Sequence, residues 1–264
     1  VITAFNNPDW KFSKINGARK KTTLSELRFT FGSTFLSNQR AHAVTYSSIS
    51  IPTTKKTNNE FMFDVQPGFN GHFGIIWGVN LQLPLTRIDD TITTSWNINL
   101  ESDFLIRNHQ YRTFDLKNKE WSRFVKIRKK DQITDDITPG VTILTQEVRV
   151  SPHALVDFST SLRTCYKSLE FELGSGLWAH GGDNIELNNP WLEEYGIAGR
   201  NINTTASLST IKTHAADDTT FIPIKESDLD LNSGKMLPSA IYKVFSSVGY
   251  KGHGDKRDLH CGVG

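Results

Sequence analysis

The residues best suited to chemistry are a histidine and an aspartate three positions apart, His180 and Asp183. A carboxylate beside an imidazole can activate water or a hydroxyl group for hydrolysis. Nearness in sequence alone is weak support for such a pair. The chain also contains no nucleophile elbow, Walker loop or dinucleotide-binding fingerprint. The sequence therefore predicts a protein that is not an enzyme.

Metal and nucleic-acid binding are not indicated either. His253, Asp255 and His260 are spaced too loosely to define a metal, and two cysteines are too few for a four-ligand zinc site. The 30 basic and 28 acidic residues give a net charge of only +2. Such a balance does not favour a phosphate backbone as partner. We expect no metal, no cofactor and no nucleic acid.

Composition excludes one kind of membrane protein and allows another. Hydrophobic residues make up 37% of the chain, and the longest apolar stretch, from Phe73 to Val79, is broken by Gly74 and Gly78. A membrane-spanning helix needs about 18 to 20 apolar residues in a row. A transmembrane β-barrel needs no such run, because polar residues alternate with apolar ones along each strand.

Alternation is the strongest signal in the sequence. From Phe69 to Leu83 the odd positions are nearly all large and apolar, whereas the even positions are small or polar with one exception. Fifteen extended residues cover about 50 Å, far more than the five or six residues of an ordinary soluble strand. The pattern therefore predicts a strand long enough to cross a membrane at a tilt.

The same alternation recurs along the chain. The clearest further segments are Thr91–Ile106, Ala154–Tyr166, Leu169–Leu177, Ala240–Tyr250 and Arg257 onward, and the weaker ones are Leu27–Phe35, Trp121–Arg128 and Val141–Val150. A soluble sandwich would cover its apolar face with a second sheet and seldom sustains such long strands. The sequence predicts an all-β fold, a single antiparallel transmembrane β-barrel of about ten to twelve strands over residues 1–264.

Two sets of side chains follow from the alternation. The residues expected to face lipid are Phe73, Ile75, Trp77, Val79, Trp96, Ile98, Leu100, Phe158, Leu162, Phe171 and Leu173. The residues expected to line a lumen are Asn97, Asn99, Glu101, Asp103, Asp157, Arg163, Glu170 and Glu172. Polar side chains in a lumen stay hydrated and avoid the penalty of burial. The alternative is that they form a salt-bridge network that fills a closed barrel.

The connections predict an orientation. Short links are expected at 84–90, around Lys167 and at 251–256, and long ones at 37–67 and 180–239. Outer-membrane barrels keep short turns on the periplasmic side and long loops outside. Counting Val141–Val150 as a strand makes the links alternate, except that Ser151 and Pro152 would form a cramped outer turn. Residues 1–25 are an N-terminal segment, and 180–239 is a long extracellular loop, which either carries function or folds over the pore, or is a solvated surface loop without a role of its own.

Several segments resemble a known family. They are Trp96–Phe104, Tyr111–Leu116, Trp121–Phe124, Thr138–Thr142, Leu169–Gly174 and Asp217–Phe221. They are similar to porin-like outer-membrane β-barrel proteins of intracellular Gram-negative bacteria, from about Asp9 to the end. The resemblance implies a porin-like or major surface barrel and supplies no catalytic or ligand residues. The terminal aromatic strand of such barrels is missing, so either final strands are absent or the barrel closes unusually.

The sequence is compatible with two functions of a membrane barrel and with a third hypothesis, a soluble protein. The first is a porin-like barrel in the bacterial outer membrane that lets small hydrophilic solutes diffuse through, with lipid around it. The second is a structural or adhesive surface barrel with a plugged lumen, whose loops mediate lateral packing or host contact. A soluble β-sandwich binding module would instead fold without detergent. The sequence leaves open whether the chain forms a homo-oligomer.

Overall fold

The computed structural model describes residues 10–38, 40–88, 91–130, 137–198, 221–254 and 257–263, and of residues 251–263 only the backbone. The strands are β1 (Glu26–Asn38), β2 (Ala41–Pro52), β3 (Gly74–Ile88), β4 (Ile92–Leu105), β5 (Asn108–Thr113), β6 (Asp115–Leu116), β7 (Lys126–Lys129), β8 (Thr138–Pro139), β9 (Thr145–Pro152), β10 (Leu155–Tyr166), β11 (Leu169–His180), β12 (Asp183–Leu187), β13 (Tyr195–Ile197), β14 (Leu229–Asp230), β15 (Ser239–Gly254) and β16 (Arg257–Val263). A one-turn helix α1 covers Gly140–Ile143, and 3-10 turns cover Ser122–Phe124, Glu226–Asp228 and Leu231–Gly234.

One large antiparallel sheet dominates the fold. Its eight strands pair in the order β1, β2, β3, β4, β10, β11, β15 and β16, so each strand lies beside its neighbours in the chain once the inserted segments are set aside. All but β16 are 12 to 16 residues long. The sheet thus has eight strands in the described part of the chain, where the alternation predicted ten to twelve.

The strand predicted from Phe69 to Leu83 is displaced along the chain. Residues 69–72 form a turn with Asn70 and Gly71 at positive φ, and β3 begins at Gly74. Pro84 lies inside β3 instead of opening a link, and the register with β4 shifts between Pro84 and Thr86. Proline lacks an N–H donor and is tolerated at such an irregularity. The link to β4 is therefore shorter than predicted.

The segment 37–67, predicted to be a long link, contains a strand of the sheet. β2 pairs with β1 on one side and with β3 on the other. One side of β2 carries Ala43, Thr45 and Ser47, which are too small or polar to produce a visible alternation. The sheet neighbours supply the stability that this local sequence does not signal.

A second structural unit, here called the cap, consists of the described residues of 106–154 and 181–238. It contains two three-stranded sheets, β12–β9–β5 and β13–β7–β8, and the two-stranded sheet β14–β6. The predicted barrel strands Trp121–Arg128 and Val141–Val150 lie here: the first is a 3-10 turn followed by β7, and the second is α1 followed by β9. Ser151 and Pro152 end β9 and pair with β12, so they are not an outer turn.

Two hydrophobic clusters hold the cap together. The larger contains Leu116, Ile127, Leu144, Ile197, Ile224 and Leu229. The smaller contains Phe114, Val148, Val150 and Ile185. Both draw on 106–154 and on 181–238, so the two insertions form one folded unit. The hydrophobic effect drives such burial in a polypeptide surrounded by water.

All long connections leave the same end of the sheet. Segments 53–73, 106–154 and 181–238 lie between strands at that end, whereas β10 and β11 are joined at the other end by Lys167 and Ser168 alone. The short turn there uses Lys167 at positive φ. The sheet therefore has a cap end and a turn end. Among the described residues, no helix is long and apolar enough to cross a membrane.

Candidate functional site

The eight residues predicted to line a lumen share one face of the sheet. The register of β4 against β10 places Asn97, Asn99 and Glu101 opposite Ser161, Ser159 and Asp157. The register of β10 against β11 places Arg163 opposite Glu172. Paired residues of an antiparallel ladder project to the same side. We call this side the polar face.

The residues predicted to face lipid share the opposite side, here called the apolar face. Val79 pairs with Leu100, Leu100 with Phe158, and Trp96 with Leu162. Those that are largely exposed are Phe73, Ile75, Trp77, Trp96, Leu162, Phe171 and Leu173. β1, β2 and β15 add Phe29, Phe31, Ile49, Tyr242, Val244 and Val248 to the exposed set. The described protein residues do not cover this face.

A cluster of charged groups occupies the cap end of the polar face. Arg28 on β1 donates from Nη1 to Glu101 Oε1 at 3.0 Å, and its Nη2 lies 3.5 Å from Glu26 Oε1. Tyr46 donates its hydroxyl to Glu101 Oε2 at 2.8 Å, and Ser50 donates to Glu26 Oε2 at 2.6 Å. One cation thus faces two carboxylates, so the cluster carries a net negative charge.

The contact between Arg28 and Glu101 reaches over two intervening strands. β1 and β4 are three strand spacings apart, or roughly 14 Å along the sheet. The residue below the contact is Gly78, and a Cβ there would overlap the ring of Tyr46. A glycine in a strand often allows such a close approach. The geometry fits a sheet that curls toward its polar face.

Asp103 is the most enclosed member of the predicted set. It is only 3% exposed and lies beside Ile76, which is fully buried on the same face. Its Oδ1 accepts no hydrogen bond from the part of the chain that the structure describes. The cap end of the polar face is therefore partly closed, and it places like charges of Asp103, Glu101 and Asp157 near one another.

The middle and the turn end of the polar face are more open. Asn99 pairs with Asn80 and Ser159, so neutral amides and hydroxyls occupy the middle. Towards the turns Arg163 forms an ion pair with Glu170. Small polar side chains in the middle, with mixed charges at both ends, form a surface that stays hydrated.

A second network joins the connection 53–73 to the cap. His72 accepts or donates through both ring nitrogens, with Nδ1 2.8 Å from the carbonyl oxygen of Ile106 and Nε2 2.8 Å from Gln110 Nε2. A carbonyl can only accept, so Nδ1 carries the proton and Nε2 accepts from the amide. Burial lowers the pKa of His72 and outweighs the carbonyl bond, which raises it. His72 is thus held as the neutral imidazole.

His180 and Asp183 do not form a pair. The Asp183 carboxylate accepts from Arg112 Nη2 at 3.0 Å and from the backbone N–H of Met236 at 2.8 Å. His180 Nε2 is 2.9 Å from Ser239 Oγ, and its Nδ1 accepts from the N–H of Gly182. Burial lowers the pKa of Arg112, although Asp183 opposes the shift. The aspartate therefore anchors the cap instead of orienting a histidine.

No protein-family model matches the chain, and no curated protein matches it.

The described residues contain no group of three or more histidine, cysteine, aspartate or glutamate side chains that could hold a metal ion. The side chains of His253, Asp255 and His260 lie outside the described residues. Sequence reasoning missed Glu26, Arg28 and Tyr46, which join the cluster from β1 and β2. Their alternation with Leu27 and Phe29 could have placed Glu26 and Arg28 on the polar face.

Proposed function

We propose that the chain forms the wall of a porin-like β-barrel in a bacterial outer membrane and lets small hydrophilic solutes diffuse along its polar face. The observation that carries the proposal is the division of one long sheet into an exposed apolar face and a polar face. Soluble monomers rarely expose a contiguous apolar patch of more than a few hundred Å². Lipid tails can cover such a patch at no cost in polar desolvation.

Strand length agrees with a membrane. A transmembrane strand needs about 9 to 11 residues at a tilt of roughly 45°. β3 has 15 residues and β4 has 14, so each can cross the hydrocarbon core and extend beyond it. The extra length at the cap end leads into the cap, whose buried cores belong in water. Short turns at one end and long insertions at the other match the pattern of outer-membrane barrels.

The polar face suits passage of uncharged and weakly charged solutes. Its middle presents Asn80, Asn97 and Asn99, while carboxylates and arginines at the two ends create a field across the path. β1 and β16 are unpaired edges among the described residues. A bilayer does not tolerate open sheet edges, so the proposal requires both edges to be paired in the membrane.

A second candidate is a surface barrel with a plugged lumen. The strand count favours it, because a barrel closed by eight strands is just wide enough for side chains to fill. The Arg28–Glu101–Tyr46 cluster over the polar face would supply part of that filling. An open pore instead requires further strands between β16 and β1. The two candidates therefore differ in whether the assembled protein conducts.

Single-channel recording in planar bilayers tests the proposal. Purified, folded protein should give stepwise ion currents. Asn99→Trp, on the polar face, should reduce the current per step by at least half because the ring narrows the path. Its neighbour Ile98→Trp, on the apolar face, is the matched control and should leave the step size unchanged. Well-folded protein without current would favour the plugged barrel, whereas equal steps in both variants would show that the current does not follow the polar face and would contradict the proposal.

A further inference from the structure

A cavity of about 270 Å³ lies where the cap meets the cap end of the polar face. Leu105, Leu155 and Trp178 contribute from the sheet, and Phe69 and Met236 contribute from the connecting segments. The surface of the cavity is mostly apolar. Pockets for drug-sized ligands measure about 300 to 1,000 Å³, so this cavity suits a smaller molecule, about the size of one aromatic ring.

Three amide side chains at or beside the cavity, those of Asn70, Asn108 and Gln110, are engaged with one another, and Gln66 is a further amide in the wall. Asn70 donates from Nδ2 to Gln110 Oε1 at 3.0 Å. Gln110 donates from Nε2 to Asn108 Oδ1 at 3.0 Å and to the ring of His72. Asn108 in turn donates to the carbonyl oxygen of Asn70 at 3.2 Å. A ligand rich in hydroxyls, such as a sugar, would lose its water and find few partners here.

The charges at the cavity also cancel. Arg112 and Asp183 are the cation and the anion of its wall, and they bind each other at 3.0 Å. Both oxygens of Asp183 accept hydrogen bonds from the protein, one from Arg112 and one from Met236. A charged ligand would have to break this pair or go unpaired, and either is expensive in a partly buried site. The cavity therefore favours an uncharged ligand.

Tight turns hold the wall in place. Gly68, Asn70 and Gly71 all have positive φ within four residues. Gly182 also has positive φ, and a Cβ there would stand 2.7 Å from the carbonyl oxygen of Met236. These turns fix the segments 67–72 and 181–183 around the cavity. A cavity shaped before binding loses little conformational entropy when a ligand enters.

We propose that this cavity binds a small, uncharged, mainly apolar molecule with a single ring and at most one or two polar groups. The ring packs between Leu155, Met236 and Phe69, with the indole of Trp178 as an aromatic neighbour. The site lies at the cap end of the sheet and is built by segments that both insertions and the sheet supply. The inference does not rest on the proposed passage of solutes.

Methionine NMR offers a direct test, because the chain has only two methionines. Met236 lines the cavity, whereas Met62 does not and lies in a neighbouring pocket that shares Gln66 and Arg112 with it. Protein with ¹³C-methyl methionine is titrated at pH 7.5 with benzyl alcohol, benzylamine and benzoate, which share a ring and differ in charge. Benzyl alcohol should shift the Met236 methyl signal saturably, with an apparent Kd at least tenfold below those of the charged probes. The Met62 signal should not saturate.

A filled cavity sharpens the test. Leu155→Trp places an indole in the cavity and should weaken benzyl alcohol binding at least tenfold. Leu162→Trp, on the apolar face of the same strand, is the control and should bind as the unaltered protein does. Equal affinities for all three probes in the unaltered protein would overturn the proposal, as would no saturable Met236 shift. Equal movement of both methionine signals, unchanged by the filled cavity, would show partition into detergent only and would also overturn it.

Discussion

The sheet and the cap handle apolar side chains in opposite ways. In the cap, Leu144 is 0% exposed and packs with Leu116 and Ile127. In the sheet, Leu173 is 63% exposed in the middle of a paired strand. Both regions belong to one chain with one composition. Under the proposed function, this difference follows from two solvents: water around the cap, and lipid hydrocarbon around the apolar face of the sheet.

The largest effect on stability is expected from a substitution in the hydrophobic core of the cap. Leu144→Ala leaves a cavity in the larger cluster and should lower the free energy of cap unfolding by about 2 to 5 kcal/mol. Leu192→Ala, at a site 61% exposed in the same unit, should change it by less than about 0.5 kcal/mol. Hydrogen exchange at the amides of Ile127 and Val148 reports the cap, and Thr160 reports the sheet. Equal losses in the two variants would mean that the cap is not held by its core.

A charge on the apolar face tests the other half of the comparison. Leu173→Arg should destabilise the protein in bilayers: its free energy of unfolding should fall by about 2 to 4 kcal/mol if the site faces the hydrocarbon midplane. Leu192→Arg is the matched control, since Leu192 is 61% exposed and Leu173 63%. In water-facing positions, both substitutions would have small effects. The measurement is urea-induced unfolding from lipid vesicles, followed by tryptophan fluorescence.

A similar small effect in both variants would contradict the membrane assignment itself. The apolar face would then be covered by water or by another protein, and the porin proposal would fail with it. The cavity at the cap end would be unaffected, because its wall is formed by described residues of this chain.

Local patterns account for what the sequence could predict. β4 and β10 were placed within one residue of their bounds, because most large apolar side chains there alternate with polar ones. The cap was not predicted, because its strands are short and pair across insertions far apart in the chain, as β9 does with β12. Trp121–Arg128 and Val141–Val150 alternate like barrel strands, but their apolar residues face a compact core. Alternation shows that one side is apolar and does not show what covers it.

The polar site follows the same division. A shared face is a property of each strand, so Asn97, Asn99, Glu101 and Asp103 could be grouped from the sequence. Their partners depend on which strands become neighbours. Arg28 reaches Glu101 across 73 residues of chain, and this contact follows from the pairing of β2, which the sequence did not reveal.

Removal of an ion pair should cost more stability in the cap than on the polar face. The difference should be smaller than that expected from the two leucine substitutions. In the cap, Arg123 donates from Nε and Nη2 to the two oxygens of Asp115 at 3.0 and 2.6 Å. Burial raises the pKa of Asp115, but the hydrogen bonds from Arg123 lower it further, so the carboxylate stays charged. Asp115→Asn should lower the free energy of cap unfolding by about 2 kcal/mol, since bonds to a charged group are lost.

The matched change on the polar face is Glu170→Gln, which removes the partner of Arg163. The arginine side chain is 42% exposed, compared with 24% for Arg123. An exposed ion pair contributes about 0 to 1 kcal/mol, so this variant should be nearly neutral. Denaturant titrations of both variants, read at the cap and at the sheet, provide the comparison. A larger loss for Glu170→Gln would show that the polar face is dry.

The smallest expected effect is a pH dependence of stability, confined to the place where His72 contacts the cap. Burial lowers the folded pKa of His72 below its ordinary value near 6.5. The unfolded chain then binds a proton that the folded chain does not, so stability is full above about pH 6.5 and falls as the pH drops toward the folded pKa. Protonation would also set two donors, His72 Nε2 and Gln110 Nε2, against each other. Hydrogen exchange around His72 and Gln110, measured from pH 7.5 to 5, should show this loss, and His72→Gln should flatten the slope. An unchanged slope in the variant would assign the proton to another group.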